Sequence, residues 1–213
     1  MGHTCQMHDE QPNATHRGTG RPATIDPEAV AAVALRLFEA RGYESVSMED
    51  IAAAAGIGRK SLYRYFPNKA ALVWGGLDEA VSVGRKSLVE HSESREPSSN
   101  PAIILTIAGL SVAHQIPDLE ITRGRLLLIA RYEELSALAY GKLRDQRVAM
   151  CDYLISVGIL EEYADSLAAA YSAALFAGWM RWARGTAANP QIELQIAFDT
   201  VRIPNNFKTW QRK

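Results

Sequence analysis

The chain has 213 residues, 47% of them hydrophobic, and a formal net charge of −1. This size allows one buried core with a small appended unit, and the near-neutral charge excludes a protein that coats nucleic acid over its whole surface. Two distant cysteines, a polar N-terminus and the lack of an apolar run of about 20 residues argue against a disulfide framework, a signal peptide and a membrane span. We therefore expect a cytoplasmic protein that does not associate with membranes and has room for one local basic patch.

Residues 1–24 are polar and rich in Gly and Pro, so they predict a flexible N-terminal arm. Arg17 and Arg21 flank a Gly-rich stretch, and they could reach into an A·T-rich minor groove. The alternative is a solubilising tail that binds nothing. The irregular spacing of the nearby His and Cys residues predicts no metal site.

Capping residues predict the first two helices. Asp26 followed by Pro27 places an N-cap acid before a proline at the first helical position, and Gly42 ends that helix. Ser47 and Asp50 resemble a capping box and open a shorter second helix. A tight Gly-containing turn then precedes a third helix, so the sequence predicts a three-helix helix-turn-helix unit.

The third helix lies in the most basic stretch of the chain, residues 56–69, which carries four cations and no acid. Leu62 and Phe66 share one helical face and can contact a core. The other side chains form outward columns: Arg59 with Tyr63, Lys60 with Arg64, and Ser61 with Tyr65. Cations, hydroxyls and an aromatic ring on one exposed face suit the phosphates and base edges of DNA. The alternative is an ordinary solvated helix surface.

These segments resemble the N-terminal domain of TetR-type repressors. The residues that carry the resemblance are Leu37-Phe38, Gly42-Tyr43, Ser47, Ile51-Ala52, Ala55-Gly56-Ile57 and Leu62 to Lys69. The resemblance covers residues 26–72 and implies an all-α homodimer, with a DNA-binding head (25–70) on a ligand-binding and dimerisation body (71–204).

The resemblance also implies roles for individual residues. Arg59, Lys60, Ser61 and Tyr63 would contact bases, Tyr65 and Lys69 would contact phosphate, and Ser47 would add a contact to the DNA backbone. Two positions depart from the family pattern. Gly58 stands where a capping Ser or Thr is usual, and Lys60 stands where Gly is common, so the operator sequence cannot be transferred.

Downstream patterns predict a helical body. We expect helices over 69–91, from Pro101 to Ile116 with burial on all sides, from Pro117-Asp118 onward, over 133–157, from Tyr163 to Trp182, and over 191–203. The last two helices are rich in small and apolar residues, and we assign a dimer interface to residues of about 160–203, partly from the resemblance. Residues 205–213 show no interpretable pattern.

Polar groups inside apolar helical runs are the candidates for a ligand pocket. They are His114, Arg131, Tyr132, Tyr140, Cys151, Tyr171 and Trp179. Each could instead be a hydrogen-bonded core residue. Together they predict a largely apolar cavity with a few polar positions. A carboxylate or phosphate on an apolar ligand could pair with Arg131 or a neighbouring arginine.

The predicted function is a ligand-responsive repressor that binds a palindromic operator as a dimer and is released by a small, largely apolar effector. The chain also resembles regulators that accompany mycofactocin gene clusters, for which a long-chain acyl-CoA effector would be expected. No cofactor or catalytic site is predicted, because nothing places Cys151 near His114 and no phosphate loop or metal-spaced set is present. The alternative is a helical sensor whose basic face binds an acidic protein.

Overall fold

The computed structural model describes residues 25–93 and 100–203, without the side chains of residues 77–79 and 91–93. The proposed arm with Arg17 and Arg21, and the C-terminal tail, lie outside the described residues. The described residues form α-helices and no β-strand. The helices are α1 (Pro27–Arg41), α2 (Met48–Ala54), α3 (Arg59–Tyr65), α4 (Lys69–Trp74), α5 (Leu77–Glu93), α6 (Pro101–Gln115), α7 (Leu119–Arg131), α8 (Glu133–Ser136), α9 (Ala139–Lys142), α10 (Arg144–Ser156), α11 (Glu161–Arg184) and α12 (Gln191–Thr200).

The helix starts predicted for the head are confirmed. The Asp26 carboxylate accepts hydrogen bonds from the first backbone N–H groups of α1, and Gly42 ends that helix with φ +84°. At the start of α2, Ser47 Oγ accepts from the Asp50 N–H at 3.1 Å, while Asp50 Oδ2 accepts from the Ser47 N–H at 2.8 Å. This reciprocal pair is a full capping box, and it satisfies N–H groups that the helix geometry leaves unpaired.

The core of the head holds α3 in place. Leu62 and Phe66 are buried, as their shared face predicted, and they pack with residues of α1 and α2 such as Phe38 and Ile51. The turn before α3 relies on Gly56, which has φ +65°. Because its apolar column is fixed, α3 must direct its remaining side chains outward.

The prediction of a single helix over residues 69–91 is wrong. Helix α4 ends at Trp74, and α5 starts at Leu77 after a break at Gly75 and Gly76. Gly76 has φ +79°, a conformation that glycine adopts at little cost. A Cβ at Gly76 would also overlap the guanidinium of Arg125, so both the backbone and its surroundings exclude a larger residue there.

The long helix predicted over residues 133–157 is also divided, into α8, α9 and α10. Two buried leucines of this segment contact different parts of the protein. Leu135 is fully buried in the core shared with the head, whereas Leu143 lines a cavity in the body. The segment does not form one straight helix, and the chain turns between Leu135 and Leu143.

In the body, the main contacts between helices join α5 to α6, α10 to α11, and α11 to α12. Two glycines allow close approach. A Cβ at Gly109 of α6 would overlap the ring of Phe198 of α12, and a Cβ at Gly178 of α11 would lie 2.9 Å from the carbonyl oxygen of Glu193. The expectation that α6 is buried on all sides is wrong, because Ile103 is exposed on the flank that its neighbours leave uncovered.

One hydrophobic cluster spans the head and part of the body. It contains Phe38 and Leu62 from the head, Trp74 from α4 at the boundary, and Leu135 and Trp182 from the body. A second cluster lies within the body and is built mainly from α6, α10, α11 and α12. The head is therefore packed against the body through a continuous apolar core.

Within the described residues, no single helix is both long and apolar enough to cross a membrane. Helices α6 and α7 meet the length and composition test only as a pair, and they are bent by 112° relative to each other.

Candidate nucleic-acid interface and ligand cavity

The outward face of α3 collects the residues that were predicted to contact DNA. Arg59, Lys60, Tyr63, Arg64 and Tyr65 are exposed. Ser61 is half-buried between them, and Leu62 lies beneath with no exposed surface. The helical columns therefore face as the i,i+4 pattern predicted, and three cations share one solvent-facing surface.

Local contacts order part of this face. Arg59 Nη2 lies 2.7 Å from Glu49 Oε1 of α2, and the Arg59 guanidinium is 5.7 Å from the centre of the Tyr63 ring. Arg64 is 5.1 Å from the centre of the Tyr65 ring. Lys60 forms no ion pair with any residue in the described part of the chain. Exposed pairs of this kind contribute little to stability, so they restrict the side chains without preventing them from reaching a polyanion.

Two residues expected at DNA phosphates have partners within the protein. Ser47 Oγ donates to Asp50 Oδ2 at 2.6 Å, and hydrogen bonds from Ser47 lower the pKa of the Asp50 carboxyl. Lys69 Nζ donates to the Tyr43 carbonyl oxygen at 2.7 Å and lies 4.5 Å from the centre of the Tyr43 ring. Ser47 and Lys69 thus brace the head, and their phosphate contacts stay predictions.

Replacing Lys69 with methionine is expected to lower the free energy of unfolding by about 1–2 kcal/mol, because a charged donor to a half-buried carbonyl is lost. Lys60→Met is the matched control, since Lys60 is exposed and should change stability by less than about 0.5 kcal/mol. Urea unfolding of both variants checks this. Equal stabilities of the two variants would show that the Lys69 contact contributes nothing.

Tyr43 joins the head to the body. Its backbone N–H donates to the Tyr132 hydroxyl at 3.3 Å, and the two ring centres are 5.0 Å apart. Burial raises the pKa of Tyr43, and so does the negative charge of Glu134, whose carboxylate accepts a hydrogen bond from the Tyr43 hydroxyl. Trp74 makes a second connection, since its Nε1–H donates to the Leu135 carbonyl oxygen at 3.2 Å.

A third connection is an ion pair. Arg125 Nη2 of α7 lies 2.9 Å from Glu28 Oε2 of α1. The Arg125 side chain is 8% exposed, whereas that of Glu28 is 51% exposed. The pair borders a cavity of about 130 Å³ whose walls come from α6, α7, α10 and α11, and Gly75 and Gly76 also line it. Its lining is mostly apolar and includes Val112, Ile116, Leu126, Leu175, Phe176 and Trp179.

Of the residues predicted for the pocket, Trp179 lines this cavity. Tyr132 lies instead between head and body, and Arg131 is exposed beside it, with its guanidinium 5.7 Å from the Tyr132 ring centre. His114 is exposed, and its Nε2 is 2.6 Å from Gln191 Nε2. The assignments of Tyr132, Arg131 and His114 to the pocket are therefore corrected, because none of the three residues lines the cavity.

Cys151, also assigned to the pocket, is half-buried outside the cavity lining. Burial, with the nearby carboxylates of Asp165, Asp152 and Glu161, raises the pKa of its thiol. The protonated thiol is a poor nucleophile. The remaining candidates also lie elsewhere, since Tyr140 is exposed and Tyr171 is fully buried in the body core.

The sequence reasoning missed Arg125, the buried cation of the cavity. A signal was present, because Arg125 lies between Ile121 and Ile129 in one i,i+4 column of α7. Ile129 is fully buried, so this column of α7 faces inward, and Arg125 is buried with it. Glu28 gave no such signal, since an acid in the first turn of a helix is explained by the helix dipole alone.

Among the described residues, no group of three or more His, Cys, Asp or Glu side chains could hold a metal ion.

Three helices with an exposed cationic third helix, carried on a helical body, form a helix-turn-helix unit. Residues 31–73 match the family described as bacterial regulatory proteins, tetR family. Over 76 residues the chain is 46% identical to MftR of Mycobacterium tuberculosis, described as a mycofactocin biosynthesis transcriptional regulator. That match covers 36% of this chain and 38% of MftR, so it spans well under half of either protein.

Solved structures resemble the whole fold. The fatty acid degradation regulator FadR of Bacillus halodurans superposes with a TM-score of 0.56 over 83% of this chain and 97% of its own, at 14% identity. FadR of Thermus thermophilus, a repressor solved in complex with lauroyl-CoA, gives a TM-score of 0.51 over 83% and 93%, at 17% identity. At these identities the likeness establishes the fold alone. The head of this chain, residues 31–73, therefore matches the tetR family in sequence.

Proposed function

We propose that the protein binds a palindromic DNA operator as a homodimer and represses transcription. The observation that carries this proposal is the outward face of α3, where Lys60 is unpaired by any described acid and Arg59 and Arg64 are stacked on tyrosine rings. Backbone phosphates would position such a helix, and its long side chains would reach base edges in the major groove.

The surface of α11 and α12 supports a homodimer. Small side chains of α11, Ala169, Ala173 and Ala177, are exposed along one stripe. On α12, Ile192 and Ile196 are 68% and 49% exposed. Small side chains let a second helix pair approach closely, and pairing these apolar faces about a two-fold axis would remove them from water. The two copies of α3 would then meet major grooves about 34 Å apart.

An effector that fills the cavity of the body would release the operator. The cavity lies between α6, α7, α10 and α11 and also touches the α4–α5 break, so its occupation bears on the position of the head. The lauroyl-CoA complex of the Thermus protein gives precedent for an acyl effector in this fold. An effector shifts the head only if it binds the released arrangement more tightly than the DNA-bound one.

The test begins with a duplex selected by the full-length protein from a random library. Binding to this duplex and to a scrambled duplex is then measured at several salt concentrations. A repressor should prefer the selected duplex at moderate salt and lose affinity for both as salt rises. If the cationic face serves an acidic protein partner instead, the two duplexes should bind equally at every salt concentration.

Lys60→Ala is expected to reduce the preference for the selected duplex by about 5–100-fold, because a base contact by a long cation is worth about 1–3 kcal/mol. Lys86→Ala on α5 is the matched control, since Lys86 is an exposed lysine paired with Glu90 at 3.7 Å and lies outside the head. It should leave the preference unchanged. An equal loss for both duplexes on Lys60→Ala would contradict base recognition by Lys60.

A further inference from the structure

The cavity contains a buried cation with incomplete pairing. Arg125 is 7% exposed as a whole residue, and its one described ionic partner is Glu28. Its Nε is buried without a hydrogen-bond partner among the described residues. Leaving a buried charged donor unpaired is costly, so this guanidinium has capacity for a further acceptor that would be bound favourably.

The two members of the ion pair are not equally fixed. Arg125 belongs to the middle of α7 and lines a mostly apolar cavity, and a Cβ added at Gly76 would overlap its Nη1. Glu28 is half exposed and sits in the first turn of α1, where water can replace a lost partner. An incoming anion can therefore displace Glu28 from Arg125. The guanidinium of Arg125 is buried, so water cannot replace its partner.

We propose that the effector is a small apolar carboxylic acid, whose carboxylate takes the place of Glu28 on Arg125. This inference rests on the proposed ligand-responsive function and specifies its chemistry. A guanidinium presents two parallel N–H donors that match a carboxylate, and the apolar walls suit a hydrocarbon or aromatic tail. The other acid in the lining, Asp118, is already engaged as the N-cap of α7, with Oδ1 accepting from the Ile121 N–H at 2.9 Å.

The size of the cavity restricts the acid. An engineered apolar cavity of about 150 Å³ in another protein holds one benzene molecule. The cavity here, of about 130 Å³, is of that order and has room for an aryl or short branched tail. A long-chain acyl-CoA, the effector expected from the resemblance, would need a much larger space.

Replacement of Glu28 by a ligand on Arg125 also changes how the head is attached to the body. Glu28 belongs to α1, and Gly76 lies in the break between α4 and α5, so Arg125 is paired with one element of the head and lies beside the connection that follows α4. When a ligand carboxylate replaces Glu28, one of the three connections between head and body is lost. The head then keeps its apolar contacts and the Tyr43 and Trp74 connections but loses its ion pair to the body, so its orientation relative to the body can change.

The test uses the full-length protein with two acids, 3-phenylpropionate and 4-methylpentanoate, and the neutral amide of each. Calorimetric titration should show at least one acid binding at least 10-fold more tightly than its amide. Arg125→Met should remove this preference. Arg125→Lys keeps the charge but loses the two parallel N–H donors, so it should retain part of the preference. Arg131→Met on the same helix is the control and should behave as the unmodified protein.

The affinity of Glu28→Gln for the acids tests the exchange directly, because a purely structural role of Glu28 would not tighten acid binding. Removal of the competing carboxylate should tighten acid binding by about 5–10-fold. Amides binding as tightly as both acids, or weaker acid binding in Glu28→Gln, would overturn the proposal. Binding of the selected duplex without acid is measured in parallel. A protein that binds the acid but no DNA refutes the proposed function while leaving the acid site standing, and the reverse result refutes the acid site alone.

Discussion

Replacing Trp74 with alanine is expected to lower the free energy of unfolding by about 3–5 kcal/mol, the usual range for deleting a buried aromatic side chain. Trp74 is 1% exposed, and its ring stacks on Phe176 of α11 with centres 6.2 Å apart. Deletion leaves a void between head and body and removes the hydrogen bond from Trp74 Nε1–H to the Leu135 carbonyl oxygen. Urea unfolding followed by far-ultraviolet circular dichroism measures the change.

Two further substitutions make the Trp74 result specific. Trp74→Phe keeps most of the ring but loses the Nε1–H donor, so an intermediate cost of about 1–3 kcal/mol is expected. Tyr140→Ala removes a ring that is mostly exposed and should cost less than about 1 kcal/mol. A loss of under 1 kcal/mol for Trp74→Ala would mean that this side chain does not hold the head on the body.

Replacing Gly109 with alanine is expected to destabilise the body by about 1–3 kcal/mol, the cost of overpacking a filled core. The new Cβ would overlap Phe198 Cζ and lie 2.6 Å from its Cε2. Phe198 is itself buried and faces Tyr171 at a ring-centre distance of 6.1 Å, so it has little room to retreat. Thermal unfolding of the variant measures the loss.

Gly124→Ala is the matched control for this substitution. Gly124 also lies inside a helix, α7, but a Cβ there meets nothing within 4 Å. Alanine should therefore stabilise the protein by about 0.5–1 kcal/mol through helix propensity alone. Adding Phe198→Leu to Gly109→Ala should recover part of the lost stability. Stabilisation by Gly109→Ala would contradict the close contact of α6 with α12.

Much of the head could be predicted from the sequence because its signals are local. Asp26, Ser47 and Gly42 cap or end helices through contacts within three or four residues, and Leu62 with Phe66 show the buried side of α3 by spacing alone. The motif that resembles the TetR-type domain contains the same residues. These features depend on backbone hydrogen bonds and helical periodicity, and both can be read in a short window.

The cavity could not be predicted in the same way, because it depends on which helix faces meet. His114, Arg131 and Cys151 are polar residues in apolar runs, as Trp179 is an aromatic one, but only Trp179 faces the inside. The cation that does face inside, Arg125, is neutralised by Glu28, which is 97 residues away along the chain. The breaks at Gly75–Gly76 and near Leu138 likewise follow from tertiary packing, which overrides a continuous helical pattern.

The core that continues from the head into the body limits how freely this protein could exchange modules during evolution or in engineering. A head transplanted together with α4 onto an unrelated body would bring Tyr43 and Trp74 but not their partners Tyr132, Glu134 and Leu135. Functional hybrids should therefore also need α7 and α8 from the same protein, and crossover points placed just after α4 should give poorly soluble chimeras.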